Sequence, residues 1–504
     1  MDKTISREGD NVKTAIIGAG VGGLTTALLL ERQGHQVTVF EQQANPGGRM
    51  QYETDGDFRI DQGPTIVLLP DMIRNVLDAC AIPQNELELI KCDPLYRIHY
   101  ADGTAYTKYS DPAKQKEELL TKFPNQAAQY DQFMHDMENV YRVGVSQFLE
   151  QGFSNRLRFF TSSNLRFLYK SKAYRDVHSF ISDYFNEPKL QDAYALQSLY
   201  IGGSPYTTPA IYGLISYSEH AHGIWYVKGG YAGLIDTLIS YCEARGVTLQ
   251  YNAKVDKIQQ KRKRVSGIEI DGAFQPFNNV VYNGDFPAIH SLLDDKKAKK
   301  KKQPSASSGC LLIYAGTNRR WEELQTHQFV LPEQFQQNME AIFESRTIPE
   351  DPSFYVFNPS SIDATCAPSG KSALYFLVPV PSGDHINWDQ QKDLLVERVL
   401  HKAEKTLLPG LLDSIEWLKL RTPADASQAG LYQGGSFGIA PSLLQSGGFR
   451  PQNKPFGIEG LYAVGASVHP GGGVPIVMQG AKNLSDLIMS EVGDYAQETV
   501  RKSV

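Results

Sequence analysis

Thr14-Ala15-Ile16-Ile17-Gly18-Ala19-Gly20-Val21-Gly22-Gly23 is the stretch whose reading decides the fold. A short apolar run, Ala15-Ile16-Ile17, meets Gly18-x-Gly20-x-x-Gly23. Leu24, Ala27 and Leu28 then share one face of a helix that Gly34 stops, and Val37-Thr38-Val39-Phe40-Glu41 reads as the next strand. Gly18 permits a tight turn, Gly20 lets backbone approach a pyrophosphate, and Gly23 lets the helix pack on the sheet. The helix N-terminus offers unpaired N–H groups and the positive end of its dipole. Glu41, 23 positions after the first glycine, stands where a carboxylate accepts hydrogen bonds from a ribose hydroxyl. A glycine turn alone is common; strand, helix and acid in register predict a bound dinucleotide. Glu41 disfavours NADP, whose 2′-phosphate it would repel.

The bulk numbers narrow the class. At 504 residues the chain predicts two or three lobes. Hydrophobic content of 41% and 21% charge are those of a globular protein in water, and a net charge of −6 gives no case for nucleic-acid binding. Cys80, Cys92, Cys242, Cys310 and Cys366 contain no CxxC pair, which argues against a metal site, an iron–sulfur cluster or a disulfide framework. They read as small buried hydrophobes in a reducing cytosol. The first 13 residues are polar and read as a loose lead-in rather than a signal peptide. No apolar run reaches the roughly 18 residues a transmembrane helix needs, so any membrane would be met from one side.

Outward from the fingerprint, Asn45-Pro46-Gly47-Gly48-Arg49 is a loop at the expected cofactor edge, and Arg49 has a fork of donors suited to phosphate. Phe58-Arg59-Ile60-Asp61 leads into the turn Gln62-Gly63-Pro64-Thr65. Residues 71–80 and 112–150 have helical periodicity, and Tyr96–Tyr100 and Ala105-Tyr106 flank an Asp102-Gly103 hairpin turn. Residues 142–175 carry seven basic side chains (Arg142, Arg156, Arg158, Arg166, Lys170, Lys172, Arg175) against Glu150 alone. Phe148, Phe153, Phe159, Phe160, Phe167, Leu168 and Tyr169 are interleaved with them. That mixture suits a helix docking on one leaflet of an anionic membrane, and equally an amphipathic helix with a solvated basic face.

A helix is expected from Ile181 and another over Ile211–His220. Tyr200, Tyr206, Trp225 and Tyr226 fall in an aromatic-rich region suited to an apolar pocket or to plain core packing. A helix at 233–245 and strands at 247–251, 253–258 and 265–270, with Val280-Val281-Tyr282-Asn283-Gly284-Asp285 as a strand entering a ligand turn, resume the α/β pattern, so the intervening helical excursion reads as an insertion. Lys296–Lys302 reads as a solvated loop. Strand-like runs at 310–314, 354–357 and 373–379, with a helix near 390–405, suggest a second sheet on the substrate side; 428–453 reads as a loop over the site. At the end, Gly460–Ser467 is a strand entering a glycine turn, and Val468-His469-Pro470-Gly471-Gly472-Gly473-Val474-Pro475 opens a final helix.

These residues carry a family resemblance. The fingerprint with Gly47-Gly48-Arg49, the Asp61-x-Gly63-Pro64-Thr65 turn, Trp225-Tyr226-x-Lys228-Gly229-Gly230 and, most specifically, Gly465-Ala466-Ser467-x-His469-Pro470-Gly471-Gly472-Gly473-Val474-Pro475 resemble bacterial carotenoid desaturases. These are FAD enzymes of the phytoene and 4,4′-diapophytoene (dehydrosqualene) type within the flavin amine oxidase superfamily, and the likeness spans about residues 12–490. The resemblance implies an α/β fold: a Rossmann-type FAD-binding domain from 1–105, 233–302 and 456–504, a helical, membrane-docking insert at 106–232, and an α+β substrate domain at 303–455. It implies FAD held by Gly18, Gly20 and Gly23 at the pyrophosphate and Glu41 at the adenosine ribose. Gly48 and Arg49 would lie near the phosphates or flavin, Val255 near adenine, and Gly63, Pro64, Thr65, Gly473, Val474 and Pro475 against the isoalloxazine. Many relatives have Gly-Asp where this chain has Gly465-Ala466, which leaves that contact to backbone.

The implied activity is desaturation of a long apolar polyene, a hydride passing to flavin and a proton to a weak base. Glu219 is the first candidate base and His469 the second, with His220 and His222 also near. Tyr200, Tyr206, Trp225 and Tyr226 are the candidate substrate contacts. The implied setting is cytoplasmic and peripherally membrane-bound, with oxygen or quinone as the electron acceptor; no metal and no nucleic acid are expected. The similar carotenoid terminal-methyl oxygenases are the alternative, although His469 favours a desaturase; a flavin amine oxidase and a non-enzymatic isoprenoid escort are the remoter ones.

Overall fold

The strand Lys13–Ile17 lies at the centre of a five-stranded parallel sheet. Its order is Leu461–Ala463, Asn279–Tyr282, Lys13–Ile17, Gln36–Phe40 and Thr248–Gln250. The first, middle and last parts of the chain therefore meet in one sheet. The computed structural model describes residues 12–152, 159–293 and 303–502, the turns beyond 491 by backbone alone. The Lys296–Lys302 run and part of the basic segment, with Phe153, Arg156 and Arg158, lie outside the described residues.

The fingerprint helix, Val21–Glu31, is buried from Gly22 to Leu30. It packs under the final helix, Val474–Lys502, and beside Tyr231–Ala244 in one apolar core. Being covered on both sides, it needs no polar face, which is why its apolar run is continuous. Gly23 is required there: a Cβ on it would collide with the Gly18 carbonyl oxygen.

A seven-stranded sheet forms the second layer, in the order Ile415–Arg421, Gly309–Thr317, Ser372–Val380, Phe354–Phe357, His327–Val330, Tyr96–His99 and Ala105–Lys108. Gly309–Thr317 is buried along its whole length because the pleat serves two cores. Leu311, Ile313 and Ala315 face the layer of the helix Trp388–Thr406, while Cys310, Leu312 and Tyr314 face the opposite core. That opposite core is closed by helices from the insert, among them Ala127–Gly144 and Pro188–Ala195.

Several expectations shift in detail. The hairpin at 96–108 pairs with His327–Val330, so the division expected at residue 105 falls inside a substrate-side hairpin. The helix expected from Ile181 ends there instead: it spans Val177–Ile181, and the Asp176 carboxylate caps it by accepting from the Ser179 N–H at 2.7 Å. The strand expected at 253–258 begins at Lys257. The basic segment is not one helix but a π-helical turn, Val145–Leu149, and a short helix, Ser162–Lys170. No helix among the described residues is long and apolar enough to cross a membrane.

Candidate active site

A cavity of about 1060 Å³ runs from the fingerprint to the aromatic core of the insert. One arm is lined by Gly18, Gly20, Glu41, Gly48, Arg49, Val255, Gly465 and Ala466. Gly63, Pro64, Thr65, Gly473, Val474 and Pro475 line it too. Thus every expected cofactor residue except Gly23 borders one space. Gly23 lies one turn further in, where it serves helix packing.

The geometry fits a dinucleotide. The helix Val21–Glu31 has Gly20 at its N-cap, no side-chain cap and no acid in its first turn. Its leading N–H groups are left for an anion. Glu41 is 7% exposed, and its two oxygens accept from the Ala19 N–H at 2.9 Å and the Gln43 N–H at 2.8 Å. Those bonds fix the carboxylate at the end of its strand, where it borders the cavity. Ala253, Lys254 and Val255 line the same cavity, and the Ala253 N–H donates to the Glu41 carbonyl.

Arg49 shows a partner that the sequence did not reveal. Its Nη2 lies 3.2 Å from Asp285 Oδ2, and its Nε donates to the Ser436 carbonyl at 2.9 Å. Asp285 also accepts from Ser467 Oγ and from the Tyr432 N–H. Asn283 donates from Nδ2 to the Gly18 carbonyl at 3.0 Å. Asp285 and Asn283 both border the cavity. The only signal in the sequence was that Asn283-Gly284-Asp285 follows a strand.

The other arm is apolar and aromatic, with Tyr141, Phe148, Leu199, Tyr200, Tyr212, Phe329 and Tyr355 in its wall. Of the four expected substrate contacts, only Tyr200 lines it. Tyr206 packs against His178, the ring centroids 4.6 Å apart and the planes tilted by 35°. Trp225 sits in a strand paired with Leu89–Lys91, and Tyr226 is buried, donating to Asp363 at 2.9 Å. Side-chain alternation in that short strand sends the two residues to opposite faces, Tyr226 into the aromatic core of the insert and Trp225 against the core of the fingerprint helix.

Glu219 is fully buried and does not border the cavity. Its Oε2 accepts from Tyr96 Oη at 2.8 Å and from Gln197 Nε2 at 3.2 Å, and lies 3.1 Å from Lys108 Nζ. Burial pulls the Lys108 pKa down, and the Glu219 charge opposes that shift. Glu219 thus sits behind the wall, with Tyr200 in front of it. His220 is buried too, its Nδ1 2.8 Å from the Tyr109 carbonyl. His469 does border the cavity. Its Nε2–H faces the Gln151 carbonyl at 3.3 Å, and burial pushes its pKa down to about 4, which keeps the ring neutral. No cluster of three or more metal-ligating side chains occurs among the described residues.

The sequence and fold agree with this reading. Residues 21–489 match the family of flavin containing amine oxidoreductases. The 4,4′-diapolycopen-4-al dehydrogenase of Metabacillus indicus is 44% identical over 98% of this chain and the whole of its own. The 4,4′-diapophytoene desaturase (4,4′-diaponeurosporene-forming) of Staphylococcus haemolyticus is 33% identical over 95% of this chain and 99% of its own. Among solved structures, cyclohexylamine oxidase from Brevibacterium oxydans superposes with a TM-score of 0.63 over 96% of this chain and 100% of its own, at 14% identity, a likeness of fold alone. The chain therefore belongs to the flavin containing amine oxidoreductase family, in its carotenoid desaturase branch, and is an FAD-dependent oxidoreductase.

Proposed function

We propose that the chain introduces double bonds into a long apolar polyene of the phytoene or 4,4′-diapophytoene class. The observation that carries this reading is the continuity of one cavity between the dinucleotide groove and an aromatic arm. Bound FAD supplies the two-electron acceptor for a hydride. Gly18, Gly20, Glu41, Arg49 and Val255 hold its nucleotide half in this reading. Gly63-Pro64-Thr65 and Gly473-Val474-Pro475 flank the junction of the two arms. Tyr200, Phe329 and Leu377 confine a hydrocarbon chain, orient it and exclude water, which is most of what such a reaction asks of a protein. Glu219, paired with Lys108, holds Tyr96 and stiffens the wall behind Tyr200.

The cavity mouth supports a peripheral position on a membrane. Phe160 packs on Phe449 at 5.2 Å in the cavity lining, and Leu165, Tyr169 and Leu444 are 50%, 73% and 72% exposed. Arg166 and Lys170 stand on the same short helix, whereas Lys172 and Arg175 are engaged by Asp183. Exposed apolar side chains with two cations on the same short helix fit the anionic, cytoplasmic face of a bilayer, where the substrate dissolves. Quinone or oxygen would then take the electrons.

A second reading, oxidation of a polyene's terminal carbon, is favoured by the 44% likeness to a diapolycopenal dehydrogenase. Expression beside a 4,4′-diapophytoene synthase, or a phytoene synthase, distinguishes the two. Coloured, desaturated products support desaturation. Colourless substrate left unchanged, with supplied 4,4′-diapolycopen-4-al converted to its acid, overturns it in favour of terminal oxidation.

A further inference from the structure

Thr65 and Tyr355 border the cavity, and a chain of polar atoms runs inward from them. Thr65 Oγ1 is 2.8 Å from Tyr355 Oη, Tyr355 Oη is 2.6 Å from His327 Nδ1, and His327 Nε2 is 3.6 Å from Cys92 Sγ. Tyr355 is 6% exposed and His327 is wholly buried. Among the described residues no carboxylate is hydrogen-bonded to any of the four, and the imidazole is stacked on both Tyr355 and Phe357. Tertiary structure alone brings them together, from a glycine turn, two paired strands and a loop.

The bonds have a direction. A 2.6 Å separation is shorter than ring N–H···O bonds usually are and falls in the range of O–H donors. With the phenol as donor to Nδ1, the proton of the neutral imidazole lies on Nε2, facing the thiol. Thr65 in turn donates to the phenol oxygen. Every donor then points away from the cavity, and lone pairs face it.

We propose that Thr65, Tyr355 and His327 form a proton path in which Tyr355 accepts the proton lost in desaturation and His327 is the positioning residue behind it. The proposal rests on the desaturase reading. With FAD bound as the acceptor that would take the hydride from one allylic carbon, the neighbouring C–H breaks toward the path and its electron pair becomes the new π bond. The phenol oxygen, directly or through Thr65, takes that proton while its own passes to Nδ1, so the charge comes to rest as an imidazolium. The proton returns along the same atoms between turnovers. Burial pushes the His327 pKa down to about 3, so the ring rests neutral and makes a weak base. A weak base is enough, because loss of the hydride leaves a cation that sheds its neighbouring proton readily. Glu219 is engaged by Lys108 and does not reach the cavity, so it is not free for this task.

The test uses the FAD-loaded protein. Nitrogen-15 NMR of histidine-labelled protein, with His327 assigned through His327→Gln, reads the geometry without turnover. The Nε2–H tautomer, with an Nδ1 signal that moves in Tyr355→Phe, is expected; an Nδ1–H tautomer overturns the path. In turnover, Tyr355→Phe is expected to lower kcat ~100-fold or more with KM and flavin content retained. His327→Gln keeps an acceptor for the phenol but cannot hold a proton, and a similar loss is expected, with the double variant no slower than Tyr355→Phe. Either variant with kcat within about threefold of the parent overturns the proposal, since proton transfer contributes ~100-fold or more where it operates. If Tyr355→Phe does not fold, His327→Gln and the parent's spectrum decide. A parent inactive on every polyene overturns the desaturase reading instead, and the spectrum still judges the path.

Discussion

Asp61 shows how a single carboxylate can shape both the site and its pH response. It is buried, and it accepts from the Tyr231 N–H at 2.9 Å and the Ala232 N–H at 3.0 Å, fixing the start of the helix Tyr231–Ala244 beside the Gly63-Pro64-Thr65 wall. Burial raises its pKa to about 7, against the opposing pull of those two N–H bonds. Below about pH 4 the group is protonated in both folded and unfolded chains and adds no slope. Between about pH 4 and 7 the unfolded chain has lost the proton and the folded one keeps it. The group's contribution to stability therefore falls as pH rises, by about 1.4 kcal/mol per unit, and levels off above 7. Asp61→Asn removes the titration at the cost of one of the two accepted N–H bonds, so the variant starts less stable and is expected to gain on the parent across that window; parallel denaturation midpoints from pH 4 to 8 would refute this. Residues of this kind differ in how readable they were. The place of Glu41 at the cavity edge was legible because it follows from spacing to Gly18 along one βαβ unit. Asp285, Tyr355 and His327 were not, because their partners are distant in sequence and no local pattern marks them.

Among the elements, legibility followed periodicity. Phe354–Phe357 has the bounds the sequence suggested, and Gly309–Thr317 and Trp388–Thr406 differ only at their ends, since a continuous apolar run of a doubly covered strand and a helical stripe are both marked by local composition. Short elements were less readable. The helix capped by Asp176 was placed too late, because the cap, not the apolar run, sets its start. The sheet to which the Tyr96–Lys108 hairpin belongs is decided by its parallel pairing with His327–Val330, which no local pattern announces. The basic segment shows the same limit: composition revealed its charge and aromatics but not that Lys172 and Arg175 are spent on Asp183. Of the charges described on Ser162–Lys170, Arg166 and Lys170 remain for a membrane. Each is expected to contribute about 1 kcal/mol to binding an anionic surface. Arg166→Glu with Lys170→Glu should therefore lower sedimentation with phosphatidylserine vesicles at least tenfold, leave binding to neutral vesicles unchanged, and lose its effect at high salt. Unchanged sedimentation would show that this helix face is not the docking surface.

At the scale of the whole molecule, the site is where the chain is tied. The strands Lys13–Ile17, Asn279–Tyr282 and Leu461–Ala463 are neighbours in one sheet although they are hundreds of residues apart. At their ends, Asp285 joins Arg49, Ser467 and the Tyr432 backbone in one cluster bordering the FAD cavity. Closing such long loops is entropically costly, and a ligand that touches all three segments offsets part of that cost only if they move as one unit. FAD in excess by ~1,000 times its Kd should add about 4 kcal/mol to the folded state. That stabilisation should be shared: on FAD removal, amide exchange is expected to quicken in residues 13–17, 279–282 and 461–463 together. Asp285→Ala leaves Arg49 without its carboxylate and Ser467 and Tyr432 without their acceptor, so it should uncouple the response, with the 461–463 strand opening at lower cost than the other two. If the three strands instead responded independently in the parent, the cofactor would be bound by a preformed groove rather than by the closure of the chain upon itself.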